Sequence, residues 1–91
     1  MHINLEWDEE KRQQTLFERG IDFAIIARLD WDTAEVIADD RRDYGEQRLR
    51  VTGLIEGRLH VAVVTPRPDA LRVISLRKAN EREKRRWARN T

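Results

Sequence analysis

The chain has 91 residues, 40% hydrophobic and 38% charged, which predicts a single domain, residues 1–91, with a compact core and a heavily charged surface. It lacks cysteine, which excludes disulfides, thiolate metal ligands and a cysteine nucleophile. No apolar run reaches the ~18 residues of a membrane span and no signal peptide is visible, so we expect a cytoplasmic protein without membrane contact.

A short strand followed by a helix is predicted at the start of the chain. Residues 2–7 alternate weakly, as in an edge strand, and Asp8 suits the N-cap of a helix that runs from 9 to about 19. We expect Leu16 and Phe17 to face the core from this helix.

A second, short helix is predicted directly after the first. Gly20 fits the left-handed residue that ends the first helix, and Asp22 can cap the next one, at 23–29. The chain is therefore expected to begin with two helices.

The remainder is predicted to be an antiparallel meander of about four strands and a C-terminal helix. Residues 59–65 are apolar on both faces, which is typical of a central strand. The expected strands are 33–38, 46–54, 59–65 and 71–78, separated by a loop at 39–45, a hairpin connection at 55–58 and a turn at 66–69, with Asn80 capping a helix near 81–89. This is an α+β fold with the helices on one face of the sheet, which leaves the other face for function.

The charge is divided unevenly along the chain. Residues 67–91 contain nine Lys/Arg against three Asp/Glu, a net charge of +6, whereas residues 1–66 contain nine against fourteen, a net charge of −5. A segregated cationic surface attracts polyanions more strongly than the overall charge of +1 suggests. RNA is therefore the first partner to consider.

A polar stripe on the second meander strand is the first candidate site. Strand alternation places Glu46, Arg48 and Arg50 on one face. If the strands follow sequence order, one strand separates this stripe from residues 71–78 by roughly 10 Å. Guanidinium groups there could bind a phosphate, although a solvated sheet face with Glu–Arg pairs is the more ordinary explanation.

Two arginines of the last strand are the second candidate. Arg72 and Arg77 differ by five positions, so strict alternation places them on opposite faces. They can serve one site only if the strand bulges or if Arg77 lies where the strand turns into the helix. The alternative for Arg72 is an ion pair with Asp69 or Glu46.

The final helix is the third candidate. Arg82, Arg85, Arg86 and Arg89 fall on one helical face, as expected for phosphate binding, for docking onto an acidic partner or for a plain solvated surface. Trp87 could stack on a base, but a core or interface position is the more ordinary role for a tryptophan.

Acid–base and metal signatures are weak in this sequence. His2 and His60 are distant from each other, and His60 has the pattern of a structural residue inside the central strand. Ser75 is the only serine and has no activating neighbour in sequence. We therefore expect no metal and no cofactor. Positioning and charge stabilisation by arginines suit phosphodiester cleavage by the RNA 2′-hydroxyl.

Several pieces of the chain, in order, resemble the BrnT family, the toxin component of BrnT/BrnA type II toxin–antitoxin modules. The matching pieces are Trp7-Asp8 with Lys11, Gly20-Ile21-Asp22-Phe23, Asp39-Asp40, Tyr44-Gly45-Glu46-Gln47-Arg48, Gly53, and Arg72-Val73-Ile74-Ser75-Leu76-Arg77-Lys78-Ala79 followed by Glu83. The resemblance implies a RelE-like fold and a ribonuclease that cleaves RNA without metal and inhibits translation. It also implies a ribbon-helix-helix antitoxin in a toxin–antitoxin hetero-oligomer, which binds promoter DNA only through the antitoxin.

Site roles follow from the resemblance and the charge pattern together. We predict that Arg48, Arg72 and Arg77 bind the scissile phosphate, and that Glu46 is either the general base or a group that orients arginine. The auxiliary RNA contacts are predicted to be Lys11, Arg19, Arg50, Lys78 and Arg82.

The chain departs from the family pattern at three places. The family's Lys-His-Gly at the end of the first helix is Glu18-Arg19-Gly20, its alanine before the last-strand arginine is Leu76, and a tyrosine of the last helix is Trp87. Arginine keeps the positive charge but does not exchange protons near neutral pH. Two alternatives therefore stay open: a non-catalytic protein that binds RNA or a partner, and a family member that only forms a complex with its antitoxin.

Overall fold

The computed structural model describes residues 4–90, which form a five-stranded sheet, two α-helices and a 3₁₀ helix. The elements in chain order are β1 (Leu5–Trp7), α1 (Glu9–Arg19), the 3₁₀ helix (Phe23–Arg28), β2 (Glu35–Ala38), β3 (Leu49–Ile55), β4 (Arg58–Arg67), β5 (Ala70–Lys78) and α2 (Glu81–Asn90). Residues 2 and 3 of the predicted first strand lie outside the described part of the chain. Within it, neither helix is long and apolar enough to cross a membrane.

The sheet has the strand order β1-β5-β4-β3-β2. Strands β2 to β5 form an antiparallel meander in sequence order, as predicted. The first strand, β1, does not continue the antiparallel pattern. It pairs in parallel with β5, so the sheet is mixed rather than purely antiparallel. This pairing covers the outer edge of β5 from Leu71 to Val73, which would otherwise expose its hydrogen-bonding groups there.

The predicted second N-terminal helix is a 3₁₀ helix, so the chain has one N-terminal α-helix rather than two. Its cap is as predicted, because the Asp22 carboxylate accepts a hydrogen bond from the Ala24 N–H. Its last turn closes with a bond from the Leu29 N–H to the Ile26 carbonyl, the three-residue spacing of a 3₁₀ helix. Such short pieces act mainly as connectors, here between α1 and the sheet.

The ends of α1 are as predicted, but its buried side is not. Asp8 accepts from the Lys11 N–H, and Gly20 ends the helix with a φ of 66°. However, the side chains of Leu16 and Phe17 are 42% and 91% exposed, so the prediction that they face the core is wrong. The buried residue of this helix is Thr15, because α1 lies at the margin of the sheet and touches the core along a narrow stripe.

The two faces of the sheet carry different cores. The larger core lies under the 3₁₀ helix and contains Ile21, Phe23, Ile26, Leu29, Val51, Ile55, Ala62, Val64, Val73 and Leu76. A smaller cluster on the opposite face joins Leu59, Val61 and Ala79 to Leu54 and Trp87. Helix α2 therefore packs on the opposite face, which corrects the prediction of helices on one face only. Trp87 is a packing residue in this small cluster, the more ordinary of the two roles considered for it.

Gly53 shows how tightly the chain crosses β3. A Cβ at this position would lie 2.9 Å from the Leu29 side chain and 3.1 Å from the Ala34 Cβ. The crossing is fixed by a hydrogen bond from the Asp30 N–H to the Leu54 carbonyl. Only glycine leaves room for the segment that leads into β2.

A β-bulge in the β4–β5 pair decides where the last-strand arginines point. Val63 pairs with Ser75, but Val64 pairs with Val73, so Ile74 is an extra residue on β5. Because of this extra residue, Arg72 and Arg77 lie on the same face of the sheet, although they are five positions apart. The first of the two conditions set out for a shared site is therefore met.

Candidate functional site

The face that carries α2 also carries the arginines of β3 and β5, and we call it the cationic face. Cross-strand pairing arranges its side chains in rows. The rows are Arg72 with Thr65, Ser75 with Val63 and Arg50, and Arg77 with Val61 and Thr52. Neighbouring rows are about 7 Å apart, because two residues of an antiparallel strand separate them. Arg72 and Arg77 thus lie about 14 Å apart along the sheet.

The end of the cationic face that α2 leaves open contains a cleft of about 270 Å³, which we call the Glu46 cleft. It is lined by Asp8, Lys11, Glu46, Arg48, Arg67, Arg72, Val73 and Ile74. Four residues predicted from the sequence as site residues meet here: Lys11, Glu46, Arg48 and Arg72. The lining contains four cationic side chains and two carboxylates, so positive charge is in excess.

Glu46 is the centre of the cleft's hydrogen bonding. The Arg48 Nε–H donates to its carboxylate at 3.2 Å, and the Thr65 hydroxyl donates to the same oxygen at 3.3 Å. The Arg48 guanidinium, with Thr65 and Arg67 adding to it, lowers the pKa of Glu46 below 4.5. A more acidic carboxylate is a weaker proton acceptor, so of the two predicted roles the geometry favours the one that orients arginine.

Glu46 and Arg48 lie before β3, not within it. The predicted strand 46–54 begins at Leu49, because the ladder with β4 ends at the Leu49–Val64 pair. The Arg48 guanidinium instead stacks over the ring of Tyr44, 4.1 Å from its centroid. This cation–π contact fixes the side chain over the cleft without a strand to hold it.

Arg67 is a site residue that the sequence did not predict. Its Nη2 lies 3.6 Å from Glu46 Oε1, whereas Arg48 pairs with Oε2. The flanking prolines indicated a turn, but β4 continues through Pro66 to Arg67. A proline is tolerated here because the pairing of β4 with β3 ends at Val64, so no ladder bond on that side is needed.

Arg67 and Arg72 share a second carboxylate, that of Glu6 on β1. The distances are 3.5 Å from Arg67 Nε and 3.7 Å from Arg72 Nη1 to the same oxygen. The alternative partners considered for Arg72, Asp69 and Glu46, are therefore wrong. Both distances exceed a strong charge-assisted hydrogen bond, so these N–H groups are poised for a better acceptor.

Arg77 has a different environment, at the start of α2, which we call the helix anchor: Arg77, Asn80 and Glu83. The guanidinium donates to both Glu83 oxygens, at 2.8 and 2.9 Å. Asn80 and Glu83 also form a reciprocal capping box, in which each side chain accepts from the other's backbone N–H. The Arg77 hydrogen bonds are the main reason that the pKa of Glu83 falls to about 2.

Arg50 and Arg82 line a second cleft, between α2 and β2, with a volume of about 430 Å³. An ion pair between Arg86 and Glu35 spans this α2–β2 cleft. The predicted helical stripe is thus divided, since Arg82 and Arg86 turn towards the cleft. Arg50 lies in the row between the two arginine sites, and its charge helps to lower the pKa of Glu83.

Two predicted RNA contacts lie away from both clefts. The Arg19 Nη1 donates to the Leu76 carbonyl at 3.0 Å, beyond the point where β1 stops pairing with β5. Lys78 lies beside the β3–β4 hairpin with Arg58 and Lys84.

Of the two histidines, His2 lies outside the described residues. His60 is buried, and its Nδ1 lies 2.8 Å from the Arg58 carbonyl, which agrees with the structural role predicted for it. Among residues 4–90, no group of three or more His, Cys, Asp or Glu side chains is arranged to hold a metal ion.

The fold and the cationic face define a small α+β protein with a surface suited to a polyanion. The family model described as the ribonuclease toxin BrnT of type II toxin–antitoxin systems matches residues 7–83, and the chain therefore belongs to the BrnT toxin family. The chain is also similar to the Brucella abortus ribonuclease toxin BrnT in its crystal structure. The TM-score is 0.69 at 28% identity, over 88% of this chain and 100% of the other. No protein of curated function matches the chain significantly.

Proposed function

We propose that this protein is a ribonuclease toxin that cleaves RNA in the Glu46 cleft, without a metal ion, and so inhibits translation. The observation that carries the proposal is the convergence of Lys11, Arg48, Arg67 and Arg72 in one cleft, where Glu46 pairs with Arg48 and Arg67. Membership of a family of ribonuclease toxins supports RNA as the substrate. The mixed sheet with a helix laid across its functional face supports a RelE-like fold.

The reaction is an intramolecular transfer within the RNA. The 2′-oxygen forms a bond to the adjacent phosphorus as the bond from phosphorus to the 5′-oxygen breaks. The 2′-hydroxyl loses its proton to solvent and the departing 5′-oxygen takes up a proton. The products are a 2′,3′-cyclic phosphate and a 5′-hydroxyl end.

The cleft contributes charge at the atoms where negative charge grows. Arg48 and Arg72 present guanidinium N–H groups to the non-bridging phosphate oxygens, and Arg67 adds a third guanidinium. Donors held in advance by protein contacts stabilise the transition state without reorganising during the reaction. Glu46 holds Arg48 and Arg67 in place, each through a different oxygen of its carboxylate. Lys11 supplies a further contact to the RNA backbone.

The remaining rows of the cationic face extend the RNA path beyond the cleft. Arg50 lies one row from Arg72, and Arg77 lies two rows away. A single strand that crosses the face would meet these charges in succession, with Arg82 at the edge of the α2–β2 cleft. Because Glu83 occupies two N–H groups of Arg77, we propose a supporting phosphate contact there rather than the scissile one.

We also propose that a ribbon-helix-helix antitoxin neutralises this toxin in a cytoplasmic hetero-oligomer. Promoter DNA would be bound only through the antitoxin. The support is the family, which belongs to type II toxin–antitoxin systems.

A catalytically weakened toxin is the second candidate function, and one observation favours it. Arg19 replaces the family's histidine, and its guanidinium is hydrogen-bonded to the Leu76 carbonyl rather than directed into the cleft. The proton-exchanging group at this position is therefore absent. Such a protein would still bind RNA and the antitoxin.

The test is cleavage of total RNA by the purified, antitoxin-free chain in excess EDTA, followed by mapping of the new ends. The proposal predicts cyclic phosphate and 5′-hydroxyl ends in EDTA at the rate seen with added Mg²⁺. Binding of RNA without cleavage, by a folded chain with and without Mg²⁺, would leave the weakened toxin as the better account.

A further inference from the structure

Strand β2 forms an open edge of the sheet. It has only four residues, and its ladder partner is β3 on one side. The Asp39 N–H donates to the Arg48 carbonyl at 2.8 Å. The backbone N–H and carbonyl groups of Glu35, Ile37 and Asp39 therefore point towards β3. By alternation, the N–H and carbonyl groups of Val36 and Ala38 point outward.

The side chains along this edge are apolar and exposed. Val36 is 46% exposed and Ile37 is 36% exposed, on opposite faces of the strand. Natural edge strands are usually protected by lysine, proline or a covering segment. Strand β2 contains neither lysine nor proline, and its one ladder partner among residues 4–90 is β3, so the edge can accept a further strand.

The charges around the edge indicate the chemistry of that strand. Residues 30–43 contain six carboxylates and two arginines, a net charge of −4. Glu35 pairs with Arg86 and Asp39 pairs with Arg41. The exposed aspartates without an ion pair in the described chain lie before and after the strand, at Asp30, Asp32, Asp40 and Asp43.

We propose that β2 is a docking edge for a basic, extended segment of a partner protein, which adds a sixth strand to the sheet. Main-chain hydrogen bonds to Val36 and Ala38 would supply the pairing, and the flanking aspartates would select basic side chains. A second copy of the chain is a poorer occupant, because it would bring another edge of the same net charge. We assign the segment to the antitoxin, an identification that rests on the proposed function.

The first measurement is amide hydrogen exchange of the toxin, free and in the complex with its co-expressed antitoxin. We expect the Val36 and Ala38 amides to exchange at least about tenfold more slowly in the complex. Unchanged exchange at both amides in a stable complex would overturn the proposal. So would protection of the same amides in the free chain by a dimer, detected by sedimentation.

Matched variants separate this edge from other exposed apolar surface. Val36→Lys should weaken antitoxin binding about tenfold or more, because lysine blocks edge pairing and repels a basic strand. Val36→Glu removes the same apolar side chain but introduces a negative charge, which attracts a basic strand. It should therefore weaken antitoxin binding less than Val36→Lys does. Phe17→Lys, on α1, should leave binding within about twofold. A strong loss for Phe17→Lys with none for Val36→Lys would place the antitoxin on α1 and overturn the proposal.

A peptide probe keeps the proposal testable if no antitoxin complex forms. The probe is an alternating Lys/Val heptapeptide, with the Glu/Val heptapeptide as its control. Protection of the Val36 and Ala38 amides by the basic peptide alone would support the docking edge and reject only the antitoxin as its partner. No protection by the basic peptide and no antitoxin complex would overturn the inference. Val36→Lys should leave RNA cleavage unchanged, so failure of the nuclease proposal is recognised separately.

Discussion

The Glu46 cleft and the helix anchor are both built from arginines on the same sheet face, but they use the charge differently. At the helix anchor, one guanidinium meets one carboxylate at 2.8 and 2.9 Å, and the pair fastens α2 to β5. In the Glu46 cleft, Arg67 and Arg72 reach their carboxylates only at 3.5 to 3.7 Å. The short pair stabilises the fold, whereas the loosely held arginines keep N–H groups available for a phosphate.

The largest expected effect is at Arg72. Arg72→Ala should reduce the rate of RNA cleavage about 10²- to 10³-fold, as the loss of one transition-state donor does elsewhere. It should change the free energy of unfolding by less than about 0.5 kcal/mol, because it breaks only a long, partly exposed ion pair. Cleavage kinetics and urea denaturation of the same preparation check both parts. Full cleavage by Arg72→Ala would remove the cleft as the active site.

A smaller effect is expected at Glu46. Glu46→Gln keeps the shape of the side chain and should reduce cleavage about tenfold, through poorer placement of Arg48 and Arg67. Loss of a general base would instead cost about 10² to 10⁴ and remove the acidic limb of the pH–rate profile. The two outcomes are separated by measuring cleavage rates between pH 5 and 9 for the wild type and the variant.

The helix anchor should respond in stability rather than in chemistry. Glu83→Gln should lower the free energy of unfolding by about 1–2 kcal/mol, because it weakens the capping box and the bidentate pair together. Arg77→Gln should cost a similar amount, and the double variant should cost less than the sum. A matched control is Glu81→Gln, on the first turn of the same helix. Equal losses of stability for Glu81→Gln and Glu83→Gln would contradict this role.

The contribution of Glu83 to the stability of the fold should depend on pH. The pKa of Glu83 falls from 4.5 to about 2 on folding, so its contribution to stability is complete above the higher value and is lost as the pH falls towards the lower one. Denaturation curves of the wild type and Glu83→Gln should therefore differ at pH 6 and converge near pH 2. A constant difference across this range would show that the carboxylate charge is not responsible.

The smallest expected effect is on the salt dependence of RNA binding. Arg67→Ala should reduce the slope of log affinity against log salt by about 0.7, the value for one phosphate of a single strand. The measurement uses an RNA with a 2′-deoxy nucleotide at the cleavage site, which binds but is not cut. Arg28→Ala, an exposed ion-paired arginine on the 3₁₀ helix, is the control and should leave the slope unchanged.

Local signals in the sequence predicted the helix ends and most strands. The caps at Asp8, Gly20 and Asn80 use chemistry that acts within one turn, so neighbouring residues suffice to identify them. The meander followed from apolar runs separated by turn residues. The side of α1 that faces the core was not predictable in this way, because Phe17 is left exposed by the position of the helix at the sheet margin.

The candidate site was predicted in part, for a similar reason. Glu46, Arg48 and Arg72 could be nominated from residue type, but their convergence depends on sheet pairing. The extra residue Ile74 in β5 is a property of the β4–β5 register, which no local pattern reveals. Arg67 was missed because two prolines outweighed the strand pattern around it.

The central claim is that the Glu46 cleft, and not the helix anchor, holds the scissile phosphate. Its most direct test is an NMR titration of the arginine Nε–H signals with the 2′-deoxy RNA. The account predicts that the signals of Arg48, Arg67 and Arg72 shift strongly. The signal of Arg77, whose Nη groups donate to Glu83, should shift much less. A strong shift of Arg77 with the cleft arginines unmoved would contradict the account and transfer the site to the start of α2.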